Sequence, residues 1–210
     1  ALGYSATTSL LEGETTGGNA TAIGANSSAV SHAAALGANA QATSNGSLAV
    51  GVWASASANG SIAIGSSGLR DGGNATSAYG DNAIAIGWGA TSGDEANSSV
   101  INTLAVGSSA RASQTNAMAI GSNANATGEN AVAVGANAFA SGTNSTAIGS
   151  NITANSLNAI VIGSNTTAES DADSLIAIGS NIRTSSQSTQ AIAIGAFSTS
   201  TTLGANSVAI

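Results

Sequence analysis

Four stretches decide how this chain folds: Asn116-Ala-Met-Ala-Ile-Gly121, Asn130-Ala-Val-Ala-Val-Gly135, Asn144-Ser-Thr-Ala-Ile-Gly149 and Asn158-Ala-Ile-Val-Ile-Gly163. Their glycines, with Gly107 ahead of them, follow at 14-residue steps, and Gly37, Gly51 and Gly65 keep the same step. Gly179 and Gly195 lengthen it to 16. Self-similarity at a short fixed period marks stacked supersecondary units that lean on their neighbours, not one large core.

With the glycine as position zero, positions −3 and −1 are mostly Ile, Val, Leu or Met, as in Leu48/Val50, Ile62/Ile64, Leu104/Val106 and Ile192/Ile194. Position −2 is nearly always alanine, with Val161 the exception. Alternation at period two with β-branched residues reads as a short strand. A second strand follows the glycine. Its positions +3 and +5 are usually alanine (Ala124/Ala126, Ala138/Ala140), and +2 and +4 are usually Asn, Ser or Thr. Two strands and two turns per period describe one coil of a parallel β-solenoid. The glycine suits a tight corner, and the asparagine at −5 marks the other, where its amide can pair with the equivalent amide one coil away.

The same alternation assigns faces. The branched residues at −3 and −1 are expected to meet the alanines of the second strand and fill a thin interior. The alanine row then faces outward, small and apolar where a solvated strand carries Thr, Lys or Glu. That anomaly reads as an interface between identical subunits, carried by Ala63, Ala85, Ala105, Ala119, Ala133, Ala147, Ala177 and Ala193.

Composition narrows the function. The chain of 210 residues is 42% apolar, mostly through alanine, but only 3% aromatic, so a core of large side chains is not expected. A net charge of −7 with three arginines, Arg70, Arg111 and Arg183, excludes the basic stripe that nucleic acid requires. It also argues against docking on anionic lipid, and no apolar run approaches the roughly 20 residues that span a bilayer. No basic segment leads into an apolar run at the start, and the last repeat stops at Ile210, so a mature fragment without direct membrane contact is expected.

Catalytic chemistry has little to work with. Lysine and cysteine are absent, which removes the P-loop, the Schiff base and the thiol nucleophile. His32 is the single histidine, without a Gly-x-Ser-x-Gly elbow, and reads as a solvated corner residue. Glu169, Asp171 and Asp173 form the one carboxylate group, without the aspartate-per-repeat pattern of calcium solenoids. No enzyme activity, cofactor or metal is expected.

The pattern Asn-Ser/Ala-Val/Ile-Ala-Ile-Gly-x-x-Ala-x-Ala, plain in Asn59–Gly65, Asn130–Gly135 and Asn206–Ile210, resembles the head repeat of YadA-like trimeric autotransporter adhesins of Gram-negative bacteria. The resemblance covers nearly the whole chain. It implies a left-handed parallel β-roll in each subunit and a homotrimer displayed at the bacterial surface, tethered to the outer membrane by parts outside this sequence. It also implies a non-enzymatic role in attachment and virulence, with host collagen, fibronectin or laminin as the ligand class.

Residues 1–210 then read as a single repeat-array head, with the period broken by inserted loops near 4–19, 66–82 and 88–103. Insertions in solenoids become loops at one edge, and loops carry function more often than the scaffold. Ligand anchors are expected on the outer face of the second strand and beside it: Trp53, Trp88, Arg111, Phe139, Arg183 and Phe197. Two other readings use the same architecture. An ice-binding solenoid wants a strict threonine rank, which the mixture at +2 and +4 breaks. A trimeric phage or other fibre module shares the assembly without the autotransporter context.

Overall fold

A computed structural model describes residues 1–9, 18–66, 75–168, 173–184, 190–196, 199–200, 206 and 208–209. They fall in two compact units, Ala1–Thr115 and Asn116–Ile210. Both are built from the same coil, and the chain is an all-β parallel solenoid.

In the first unit the strands Thr21–Ile23, Ala34–Leu36, Leu48–Val50, Ile62–Ile64, Ile84–Ile86 and Leu104–Val106 stack in parallel as one sheet. The two-residue strands Thr7–Thr8, Ser28–Ala29, Gln41–Ala42, Ser55–Ala56, Ser77–Ala78, Thr91–Ser92 and Arg111–Ala112 form the opposing sheet. The second unit repeats the scheme. Met118–Ile120, Val132–Val134, Thr146–Ser150, Ile160–Ser164, Ile176–Ser180, Ile192–Ala196 and Val208–Ala209 make its longer-strand sheet. Asn125–Ala126, Phe139–Ala140, Thr153–Ala154, Thr167–Ala168, Arg183–Thr184 and Thr199–Ser200 make the other.

Register follows the repeat. Ala133 pairs with Ala119 and Ala147, and Val161 takes the same place between Ala147 and Ala177. Neighbouring coils bond through the backbone, as where the Val132 N–H donates to the Ser145 carbonyl at 2.8 Å. Longer sequence is absorbed without loss of register. Ala63 pairs with Ala85, and Ala85 with Ala105, so the register passes both expected insertions, and the extra residues of the one at 88–103 leave the strands as a loop. Residues 10–17 and 67–74, within the other two expected loops, lie outside the described residues, as do Glu169 and Asp171.

Each corner has a conformational reason. Asn116, Asn130, Asn144 and Asn158 at −5 all have φ between 55° and 59°, and His32, Ser174 and Gln190 take that position in other coils. Asparagine tolerates this left-handed geometry because its short side chain bonds locally. His32 is an exposed corner residue, as the sequence reading expects. The position-zero glycines are different: Gly149 has φ 136°, and a Cβ there would run into the carbonyl of Gly163. No side chain fits between coils stacked that closely.

The faces are the reverse of the sequence expectation. Ala63, Ala85, Ala105, Ala119, Ala133, Ala147, Ala177 and Ala193 are each 0% exposed within the single chain, so they line its interior and leave no side-chain surface for a partner. The branched neighbours point outward, with Ile64, Ile86, Ile148, Ile178 and Ile194 36–39% exposed. The cause is width. Inward residues of the opposing sheet are also small, among them Ala56, Ala112, Ala126, Ala140 and Ala154, so the two sheets enclose a space about one methyl group deep from each side. Position −4 shares the parity of −2 and is small almost throughout, as in Ser61, Ala83, Ala131, Ser145 and Ala159, all buried. The interior takes a larger group only in single coils, as with Leu175 at −4 and Ile152 and Ile182 at +3, all buried. Leucine or isoleucine in every coil of these rows would add volume that the close-packed sheets do not accommodate.

Candidate binding surfaces

The first surface is the outward face of the longer-strand sheet. Positions −3 and −1 form two neighbouring apolar columns, coil after coil. In the second unit the −1 column runs through Ile120, Val134, Ile148, Ile162, Ile178 and Ile194, beside Val132, Thr146, Ile160, Ile176 and Ile192. In the first unit Val50, Ile64 and Ile86 run beside Leu48, Ile62 and Ile84. Scattered apolar residues on a surface need no explanation, but a rank of branched side chains repeated coil after coil is an apolar face without cover in the single chain.

The second surface is the outward face of the short-strand sheet, where position +4 points away from the interior. Here the expected ligand anchors separate. Arg111 and Arg183 occupy +4 on their strands and are exposed, and Phe139 occupies +4 half-buried, flanked in register by Asn125 and Thr153. Phe139 and Arg183 are held apart by the coils of Thr153 and Thr167. Trp53 is not on the strand face. It stands at the corner with φ 63°, its N–H bonded to the Ala38 carbonyl at 3.0 Å, because the strand begins two residues later than the sequence pattern implies. Trp88 is 45% exposed, next to the corner glycine Gly87. Phe197 lies outside the described residues. Among the described residues these side chains form no aromatic cluster.

One place on this face is built up. Strands Ser77–Ala78, Thr91–Ser92 and Arg111–Ala112 lie side by side, with Ser77, Thr91 and Arg111 in register at +4. The insertion that follows Ser92 folds back beside them and borders an open hollow of about 500 Å3, whose wall and floor include Ser77, Tyr79, Thr91, Asp94, Glu95 and Arg111. The overhang is fixed by its own hydrogen bonds. The Gly93 N–H donates to the Ala112 carbonyl at 2.8 Å, the Asn97 N–H to the Asp94 carbonyl at 3.2 Å, and the Val100 N–H to the Asn97 carbonyl at 3.2 Å. An Asp94 Oδ1 accepts from the Ala96 N–H at 3.0 Å, and the Asn97 Oδ1 from the Ser99 N–H at 3.1 Å. Val100, 2% exposed, anchors its far end. Gly93, at φ 88°, lies so near the Gly80 backbone that a Cβ would stand 2.5 Å from its nitrogen.

The sequence pointed to the insertion near 88–103 and, separately, to Arg111, but not to the meeting of Arg111 with Asp94 and Glu95. Nothing in it joined them to Tyr79, which belongs to the imperfect repeat Ala78-Tyr79-Gly80. The one available signal is the register: with the two insertions removed, Ser77, Thr91 and Arg111 fall at the same repeat position. Among the described residues no group of three His, Cys, Asp or Glu is arranged to hold a metal ion, and no helix is long and apolar enough to cross a membrane.

Each unit is thus an alanine-lined coil with an apolar rank on one sheet and a polar outward face on the other. A family model described as the YadA head domain repeat (2 copies) matches residues 31–52, 42–67, 73–90, 101–124, 126–151 and 186–210. The chain belongs to the YadA head family, a family of structural adhesin domains at the cell surface. No curated protein matches it.

Proposed function

We propose that residues 1–210 form one repeat-array head of a trimeric bacterial surface adhesin, non-enzymatic, held beyond the outer membrane and attaching to host extracellular-matrix protein or cells. The observation that carries the reading is the apolar rank at −3 and −1, which faces outward and is part-exposed or exposed in the single chain although it repeats in both units. A second copy of this chain is the partner such a rank fits, since identical columns meet in register without any new specificity. Three subunits sharing their ranks would bury them about a common axis and turn the polar faces outward. The family supports the number three.

Attachment then works by repetition. Each polar face offers modest contacts through Arg111, Phe139, Arg183 and the exposed Trp88, and three faces engage a fibrous ligand together, so that effective concentration replaces single-site affinity. Collagen, fibronectin and laminin are the ligand class, and a role in virulence follows from attachment. Multi-angle light scattering tests the assembly: three times the 19.7 kDa chain mass is expected, and a single-chain mass would refute it. Binding to immobilised collagen, fibronectin and laminin tests the ligand class, with failure on all three overturning that part alone.

A further inference from the structure

We propose that the hollow beneath the Gly93–Val100 overhang binds a neutral hexopyranose ring, as the terminal sugar of a glycan. The inference rests on the adhesin reading only for its biological setting; the site itself is complete in one chain and faces away from the apolar rank.

Size fits first. A hollow of about 500 Å3 lies within the range of small-ligand sites, roughly 300–1,000 Å3, and suits one or two sugar rings. Chemistry fits next. A pyranose presents an apolar face of C–H bonds and a rim of adjacent hydroxyls. Tyr79 offers an aromatic surface for the C–H face, and its polar tip can still bond. Arg111 carries a planar fork that donates to two neighbouring oxygens at once, and Asp94 and Glu95 accept from hydroxyl hydrogens. Thr91 places a hydroxyl on the floor beside Ser77, whose own buried hydroxyl donates to the Ala75 carbonyl at 3.3 Å and so helps to shape the floor. Donors and acceptors of both kinds around one aromatic face match a polyol better than an ion. Two carboxylates against one guanidinium repel a free anion such as phosphate. The same guanidinium works against a simple cation.

Preorganisation is the third argument. The Asp94 carboxylate is already oriented by the Ala96 N–H, and the overhang is closed by backbone bonds at both ends. A ligand would therefore pay little to order the wall, which is where affinity for small solutes is usually lost.

Saturation-transfer NMR on the whole chain tests this with methyl α-mannopyranoside, methyl β-galactopyranoside, N-acetylglucosamine and, as a cationic comparison, acetyl-lysine amide. Transfer to at least one sugar is expected, falling at least fivefold in both Tyr79→Ala and Arg111→Ala but unchanged in Thr153→Ala. Because the Arg111 side chain is exposed, its removal leaves the coil folded, and coincident thermal melts confirm that. No transfer to any sugar overturns the proposal. So does transfer that survives both substitutions, or transfer to the lysine amide alone. Failure here leaves the subunit mass and the matrix-binding result untouched, so the two readings fall separately.

Discussion

The side-chain amide of Asn130 donates to the Oδ1 of Asn144 at 3.0 Å, one coil away, with both residues at φ 56°. Asn116 precedes them and Asn158 follows, at 3.0 and 3.1 Å. A parallel ladder, Asn123 to Asn137 to Asn151, runs along the +2 corner at 3.3 and 3.0 Å. Asparagine therefore does two things at a corner: it accepts the left-handed backbone and it ties adjacent coils. Replacing Asn144 separates them. Asn144→Ala loses both amide bonds and strains the corner, at a cost of about 2 kcal/mol, while Asn144→Gly keeps the geometry and costs about 1 kcal/mol. Urea unfolding followed by circular dichroism should rank wild type above glycine above alanine. Equal losses for the two variants would show that backbone strain contributes nothing.

Gly149 tests the closest approach between coils. Its φ of 136° is open to glycine and costly for other residues, and an added Cβ meets the Gly163 carbonyl. Gly149→Ala should lower stability by about 3 kcal/mol, more than Asn144→Ala, because backbone strain and steric displacement act together. The control is Ala136→Gly, at an exposed position one residue past Gly135, which should cost less than about 1 kcal/mol. Denaturant midpoints compared at fixed slope decide it.

Interior width predicts an inversion of the usual preference for larger apolar groups. Ala133→Leu adds volume where the coil is one methyl deep, and a loss of about 1–3 kcal/mol is expected despite the gain in hydrophobicity. Val161→Ala goes the other way, emptying a place the coil has already adapted to, and should cost about 1–2 kcal/mol. Thermal unfolding of both would show that fit, not apolar character, governs this row. A stabilised Ala133→Leu would mean that the sheets are free to separate.

These residues also show what was legible. The 14-residue step of Gly107 to Gly163 specified coils, strands and parallel stacking, since only a stacked repeat satisfies that period. Asn at −5 specified a corner and its ladder, because the residue type carries its own conformational reason. Facing was misread. Both parities of the strand are apolar, and burial here is ranked by size in the opposite sense from an ordinary core, so Ile148 lies outside and Ala147 inside. The clue was present in Ser145, two residues before Ala147: position −4 is small almost throughout, Leu175 being an exception, and must share its face. The hollow was half legible. The insertion was marked by the broken period and Arg111 by its repeat position, but the meeting of Asp94, Glu95 and Arg111 with Tyr79 depends on how far an insertion folds back, which no local pattern encodes.

If the branched rank holds subunits together, a charge within it should separate them without unfolding a coil. Ile148 and Ile178 are 39% and 37% exposed in the single chain, so a carboxylate at either remains hydrated there. The same carboxylate at a subunit contact is stripped of water and faces its own copies, an arrangement in which charge burial and like-charge repulsion both oppose association. Ile148→Glu with Ile178→Glu should therefore shift light-scattering mass from three chains toward one while retaining the β-sheet circular dichroism signal. A monomer would hold one polar face instead of three, so any binding to immobilised matrix protein should weaken by about 100-fold or more, the range that avidity supplies. Ala133→Glu provides the contrast. Its charge would enter the interior of the coil itself, so loss of the β signal, not clean dissociation, is expected. A trimeric mass for the Ile148→Glu, Ile178→Glu pair would place the subunit contact elsewhere on the coil and overturn the assignment of this face.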